Sequence, residues 1–389
     1  MINRARTVRI VILAMFLLVL AARVSSCMPK EEPQPNTFAD RSDEEIQPDT
    51  EHSVTQAGTW FLRHADEEEF LHYGYWPNEQ QPHTGRNSLR IAGALWSITE
   101  LHRFTGDERF AKLAENGIEF FRAFIIKDPE GYAYVDIANK HKLGFNAFLI
   151  LALLNLEDIP DRTELMSLLA EGILHQQRRD GSYATYFHSD QATGVDYYPG
   201  EANLALMALY EETGAERYRE AVERSFPYYR EYWRGNKTLA FIPWHAQALS
   251  RLYRSTPDPQ VRDFVFEMTD WMLTFQKQGT NPATGTRRYI SAPTISTASY
   301  LEGINDAYKL AKSVGDEERT QGYAEAIRLG TAFVRELQMT GDEYTADGRT
   351  DPLAAGGVRQ SITNPELRVD HTQHAVAAWI KALENDLAQ

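Results

Sequence analysis

The chain has 389 residues, one cysteine and a formal charge of −15, with 40 Lys and Arg against 55 Asp and Glu. So acidic a protein lacks the clustered cations that phosphate contact needs, which argues against a nucleic-acid partner. A lone Cys27 has no intramolecular disulfide partner, and a chain this long implies two domains or one large closed architecture.

The first residues carry Arg4, Arg6 and Arg9 ahead of an apolar run over 10–22, the charged and apolar regions of an export signal. That run is too short to span a bilayer comfortably. Val24-Ser25-Ser26-Cys27 resembles the lipobox of bacterial lipoproteins. The resemblance implies a signal peptide over 1–26, a lipid on Cys27, and export to a bacterial membrane on its periplasmic or outer-membrane face. An ordinary secretory signal with an incidental cysteine is the other reading. Loss of the signal removes four arginines and takes the charge from −15 to −19. Residues 27–50 hold Pro29, Pro33, Pro35 and Pro48 among polar residues, a composition that predicts a disordered tether.

From residue 51 onward the apolar spacing is helical almost throughout. Thr105-Gly106-Asp107-Glu108-Arg109-Phe110 has a counterpart in Thr213-Gly214-Ala215-Glu216-Arg217-Tyr218, and Val314-Gly315-Asp316-Glu317-Glu318-Arg319 is a looser third copy. Turns at 157–161 and 255–259 fall between them. Gly closes one helix in a left-handed cap, and the acids open the next beside its positive dipole end. Apolar inner helices are predicted near 87–104, 143–156, 200–213, 243–254, 298–313 and 367–385, each of the first five followed by a more charged outer helix. An unpaired helix near 52–65 opens the domain. If it packs outside the last one, six hairpins close into an all-α (α/α)6 toroid over 51–389. An open solenoid is the alternative, but its repeat would be shorter than the spacing here. The inner-to-outer turns are short, whereas 127–143, 178–199, 278–297 and 340–366 are long connections. Long connections in a compact domain are usually binding loops or disordered segments; the aromatic and polar residues in these favour binding loops, which predicts a cavity where the inner helices begin.

The repeat, Asp180-Gly181-Ser182, Asp196-Tyr197-Tyr198-Pro199-Gly200-Glu201 and Arg368-Val369-Asp370-His371-Thr372-Gln373-His374 resemble six-hairpin glycosidase-type proteins. Within them the similarity is greatest to the helical C-terminal domain of D-glucuronyl C5-epimerases, whose β-rich N-terminal portions have no counterpart here. The resemblance implies a poly- or oligosaccharide partner, often uronic-acid-containing, and no cofactor.

Asp196, Tyr197, Glu201, His245, Glu302, Asp370 and His374 are the candidate catalytic groups, since acid–base chemistry on a sugar uses carboxylates, imidazole or Tyr. Asp370 and His374 lie one turn apart, a spacing at which the acid orients the imidazole. Asn87, Arg90, Asn146, Tyr198, Trp244, Arg359 and His371 are the substrate-binding candidates. Aromatic faces suit the apolar side of a sugar ring, and Arg90 or Arg359 suits a uronate carboxylate. The bland reading stands beside each: Glu201 then only complements a helix dipole, and a histidine on an inner helix is more often a core residue. A metal reading of His371 and His374 lacks any HExxH-like pattern. Two functions follow. One is a glycan-active enzyme (hydrolase, lyase or C5-epimerase), and the other a non-catalytic glycan-binding or envelope-assembly lipoprotein. A terpenoid-processing toroid would require an apolar cavity and an Asp-rich motif that Asp66-Glu67-Glu68-Glu69 does not supply.

Overall fold

Helix boundaries follow from caps written into the chain. In the computed structural model, which describes residues 50–68, 70–278, 287–341 and 351–388, α1 (Thr50–Arg63) leads through short strands β1 (Ala65–Asp66), β2 (Phe70–Leu71), β3 (Gly74–Trp76) and β4 (Gln81–Pro82) to α2 (Ser88–Thr105) and α3 (Glu108–Arg122). Asn87 accepts the Arg90 N–H at 3.4 Å to open α2, Gly106 at φ 67° closes it, and Asp107 accepts the Arg109 N–H at 2.9 Å to open α3. Strands β5 (Ile125–Lys127) and β6 (Ala133–Val135) precede α4 (Leu143–Leu154) and α5 (Arg162–His175). The next pairs are α6 (Tyr198–Thr213) with α7 (Glu216–Gly235) and α8 (Ile242–Ser255) with α9 (Pro259–Leu273). After β7 (Gln276–Gln278) and β8 (Arg287–Ile290) come α10 (Ser296–Ser313) and α11 (Glu317–Glu336), then β9 (Leu367–Arg368) and α12 (Val369–Glu384). Cys27, the signal and nearly all of the tether lie outside the described residues. Among the described residues no helix is long and apolar enough to cross a membrane.

The fold is an (α/α)6 toroid. Helices α2, α4, α6, α8, α10 and α12 pack each on the next, and α12 returns to α2, while α3, α5, α7, α9, α11 and α1 form the outer layer. Helix α1 covers α12, and Thr50 Oγ1 donates to the Ala388 carbonyl at 2.8 Å, tying the two ends of the ring together. Inner helices are enclosed by neighbours on every side, so α4 is buried at every residue from Leu143 to Leu153. Outer helices bury one stripe only: α3 sinks Phe110, Leu113, Ala114, Ile118 and Phe121 and leaves its charges outside, the pattern of a surface helix.

The outer-to-inner connections carry small β ribbons that period-two patterning does not betray, because strands of two to four residues hold no alternation to read. In one, β3 pairs antiparallel with both β4 and β9 (Tyr75 opposite Pro82 and Leu367), which pins the start of α12 to the segment before α2. Antiparallel β5–β6 and β7–β8 hairpins occupy the connections before α4 and α10. The parts of the predicted long loops at 279–286 and 342–350 lie outside the described residues.

Candidate active site

A cavity of about 280 Å³ opens where the inner helices begin, and all six contribute to its wall. Glu201 enters from the first turn of α6, just after Pro199 and Gly200, where proline starts a helix readily. It is 4 % exposed, and its buried Oε2 has no hydrogen-bond partner among the described residues. Burial pushes its carboxyl up to about 8, against the opposing pull of Lys142. A neutral, proton-bearing carboxyl at pH 7 is the consequence. Gly144, in the first turn of α4, makes the room, because a Cβ there would land on Glu201 Oε2.

His374 enters from α12, with Nδ1 2.6 Å from Glu302 Oε1. Burial works to lower its pKa, but the Glu302 charge and hydrogen bond outweigh it and hold the imidazole above its ordinary value. Glu302 is 1 % exposed and sits behind the ring on α10, with Oε2 unpartnered among the described residues. With Nδ1 engaged, Nε2 is the nitrogen left to meet a ligand.

Cations and aromatics complete the wall. Arg90 on α2 donates through Nη1 to the Tyr73 hydroxyl at 2.6 Å, and its Nε lies 3.4 Å from Asp370 Oδ2. Asp370 also takes a paired grip from Arg368, Nε to Oδ1 at 3.0 Å and Nη2 to Oδ2 at 2.8 Å. Burial disfavours its charge, yet the surrounding positive groups prevail and keep the carboxyl below its usual range. Lys142, just ahead of α4, places its Nζ 5.8 Å from the centre of the Tyr198 ring. Trp244 on α8 packs 5.6 Å from Phe148 and 6.2 Å from His374 between ring centres, giving the cavity a flat apolar side. Tyr197 stands at the rim, 45 % exposed.

Asn87, Arg90, Tyr197, Tyr198, Glu201, Trp244, Asp370 and His374 thus line one cavity, and Glu302 reaches it through His374. The remaining sequence candidates point elsewhere. His245 turns outward from the ring axis, stacks on Phe241 at 3.8 Å between ring centres, and is held neutral by burial, which drives its pKa to about 3. Asn146 spends its amide on the Ala133 and Leu169 carbonyls at 2.8 and 2.9 Å, joining α4 to β6 and α5. His371 contacts the Glu366 carbonyl through Nδ1 at 3.3 Å, with burial forcing its pKa to about 3. Arg359 caps the end of α11, donating to the Glu336 carbonyl at 2.5 Å and the Leu337 carbonyl at 3.3 Å. Asp196 is held by the Tyr232 hydroxyl at 3.1 Å, off the cavity wall. Asp180 makes a turn, bonding the Ser182 N–H at 3.0 Å. The cavity also recruits Lys142, Phe148, Ser299 and Gln373, which sequence reasoning passed over. Of these, only Gln373 lay inside a recognisable motif. Among the described residues no three His, Cys, Asp or Glu side chains gather as a metal site would require.

No family model and no curated protein matches the chain in sequence. Solved structures do match it in fold. A D-mannose isomerase aligns with a TM-score of 0.60 at 13% identity, over 86% of this chain and 97% of its own. An unsaturated glucuronyl hydrolase specific for heparin aligns at 0.58 and 11%, over 87% and 97%. A family 76 glycoside hydrolase (mannosidase) from Bacteroides thetaiotaomicron aligns at 0.58 and 10%, over 86% and 99%. These neighbours are enzymes of the six-hairpin glycosidase superfamily, and the likeness establishes the toroid as this chain's fold.

Proposed function

We propose that this protein is a carbohydrate-active enzyme that moves protons on a uronic-acid-containing glycan at the mouth of the toroid. The carrying observation is that a neutral buried carboxyl, Glu201, and a carboxylate-backed imidazole, His374 with Glu302, line the same cavity as the cations Arg90 and Lys142. The names of the fold neighbours, an isomerase, a mannosidase and a glucuronyl hydrolase, support the carbohydrate part of this reading. The resemblance of the chain to the helical C-terminal domain of D-glucuronyl C5-epimerases supports the uronate part.

The chemistry runs as follows. In the competent form one of Glu201 and His374 carries a proton and the other does not. The deprotonated group takes the hydrogen from C5 of the uronate, and the electron pair left behind spreads into the sugar carboxylate. Arg90 and Lys142 stabilise that charge, which exists only in the transition state and intermediate. The proton-bearing group then delivers to the opposite face of C5, giving the epimer, or to the oxygen leaving C4, breaking the chain and leaving a C4–C5 double bond. Hydrolysis by a carboxylate pair fits less well, because both Asp370 oxygens are committed to Arg368 and Arg90. A binding protein without catalysis would not need a proton-bearing carboxyl and a polarised imidazole in one pocket.

The test is incubation of the protein with uronate-containing glycans in D₂O. Deuterium at C5 or an absorbing 4,5-unsaturated product is expected, and Glu201→Gln and His374→Asn each lower the rate by roughly 10²–10⁴-fold with little change in binding. New reducing ends without either signal, or glycan binding with no reaction at all, overturns the proposal. The Cys27 anchor is part of the same proposal, supported by the lipobox-like sequence. Fatty-acid labelling that persists in Cys27→Ser would sink it.

A further inference from the structure

Beside the cavity, on the α2–α4 side, runs a second depression of about 440 Å³, and the two share Asn87, Leu89 and Lys142. We propose that this groove, with Phe120, Phe124, Arg86, Lys140 and Lys142 on its walls, holds the continuing chain of an anionic polysaccharide whose reacting uronate sits in the cavity. The inference rests on the uronate reading above and extends it to a polymer.

Charge is the first argument. The chain is strongly acidic at −15, and its cations mostly answer acids: Lys112 pairs with Glu115 at 2.9 Å, Lys127 with Glu164 at 2.8 Å, and Arg122 with Glu119 at 3.0 Å. Among the described residues Lys140 and Lys142 make no ion pair, and Glu68 is the only acid on the groove wall. Lys140 and Lys142, on one groove that continues the active cavity, focus a local positive field in an otherwise negative protein. The opposite mouth of the toroid shows the contrast. Its cavity of about 530 Å³ is larger, but Lys381 answers Asp306, Arg251 answers Glu211, and Arg103 bridges Glu100 and Glu384 at 2.9 and 2.8 Å. There the charges bind helices to one another.

Shape is the second argument. Phe120 and Phe124 are half-buried, with ring centres 5.3 Å apart, and the Arg86 guanidinium lies 5.2 Å from the centre of the Phe120 ring. Apolar faces next to cations are what a charged sugar presents its two aspects to. Lys140 closes a tight turn. Ile137 and Lys140 pair across a two-residue turn whose centre, Ala138 and Asn139, is left-handed at φ 55° and 56°, the geometry of a tight hairpin.

Calorimetric titration of the full protein with uronic-acid oligosaccharides, disaccharide against octasaccharide, tests the groove, with neutral oligomers of equal length as the control. The octasaccharide is expected to bind more tightly than the disaccharide, and salt should erode that advantage. Lys140 is exposed at a loop tip, so Lys140→Glu leaves the fold intact; it should weaken the octasaccharide about tenfold and the disaccharide less than about twofold. Equal loss at both lengths, no loss at either, or no binding by any uronate oligomer overturns the groove. C5 exchange or unsaturated product is followed in the same samples. Length-dependent, Lys140-dependent binding without turnover keeps the groove and fails the proton-transfer reading, whereas turnover indifferent to length and to Lys140 does the reverse.

Discussion

At the scale of single residues the cavity depends on two groups whose proton affinities are both raised above their ordinary values. Burial lifts Glu201 from 4.5 to about 8, and Glu302 lifts His374 above 6.5 against its own burial. A reaction that needs one proton on and one off fails at low pH, when both are protonated, and at high pH, when neither is. The rate should therefore climb as pH rises past 6.5 and fall beyond the higher of the two pKa values. His374→Asn removes one limb of that bell from whatever rate remains; a profile unchanged in shape would mean that His374 carries no proton in the reaction. Gly144 offers a sharper probe, since it touches no substrate in this scheme. Gly144→Ala sets a methyl against Glu201 Oε2 and should cut kcat by roughly tenfold or more through displacement of the carboxyl. The expected effect on KM is small. A loss confined to KM would show that Glu201 binds rather than reacts.

Elements repeat the same devices around the ring, and this is where the sequence was most readable. The Gly106–Asp107 and Gly315–Asp316 turns cap helices as their residue types demand, and Gly214 closes α6 in the same left-handed state. Ring closure followed from an unpaired first helix and an unpaired last one. What stayed hidden was orientation. An inner helix buried on all sides has no polar face to mark the axis, so Glu201 and His245, each in the first turn of an inner helix, look alike in sequence. One faces the cavity and the other packs on Phe241. Lys142 escaped because it belongs to a non-periodic connection. The caps themselves make a clean prediction. Nothing lies within 4 Å of a Cβ placed on Gly106 or on Gly322, but Gly106 has φ 67° and Gly322 lies inside α11 at ordinary helical φ. Gly106→Ala should therefore cost about 1 kcal/mol and Gly322→Ala should gain about 1 kcal/mol in urea unfolding. The same sign for both would show that backbone conformation does not govern these positions.

For the whole molecule, the toroid's closed core has a consequence for pH. Three histidines are buried without charge: burial drives His64 to about 4, and His245 and His371 to about 3, from an ordinary 6.5. An unfolded chain takes up these protons below 6.5 while the native ring refuses them. The stability involved is complete above 6.5 and drains away as pH falls toward the folded values, each histidine contributing a slope of about 1.4 kcal/mol per pH unit between the two. Glu201 acts at the other end. Its folded pKa is raised, so its share of stability is complete below 4.5 and is lost as pH rises through about 8. The two trends set a stability maximum near neutrality. Urea midpoints should drop steeply as pH falls from 6.5 toward about 4, and His245→Leu should make that descent shallower by one histidine's slope. On the alkaline side Glu201→Gln should hold its midpoint between pH 6.5 and about 8, where the native protein's declines. A midpoint flat across the acid window would mean that these imidazoles reach solvent. The ring would then have to open there, the one behaviour that a core sealed by α1 against α12 forbids.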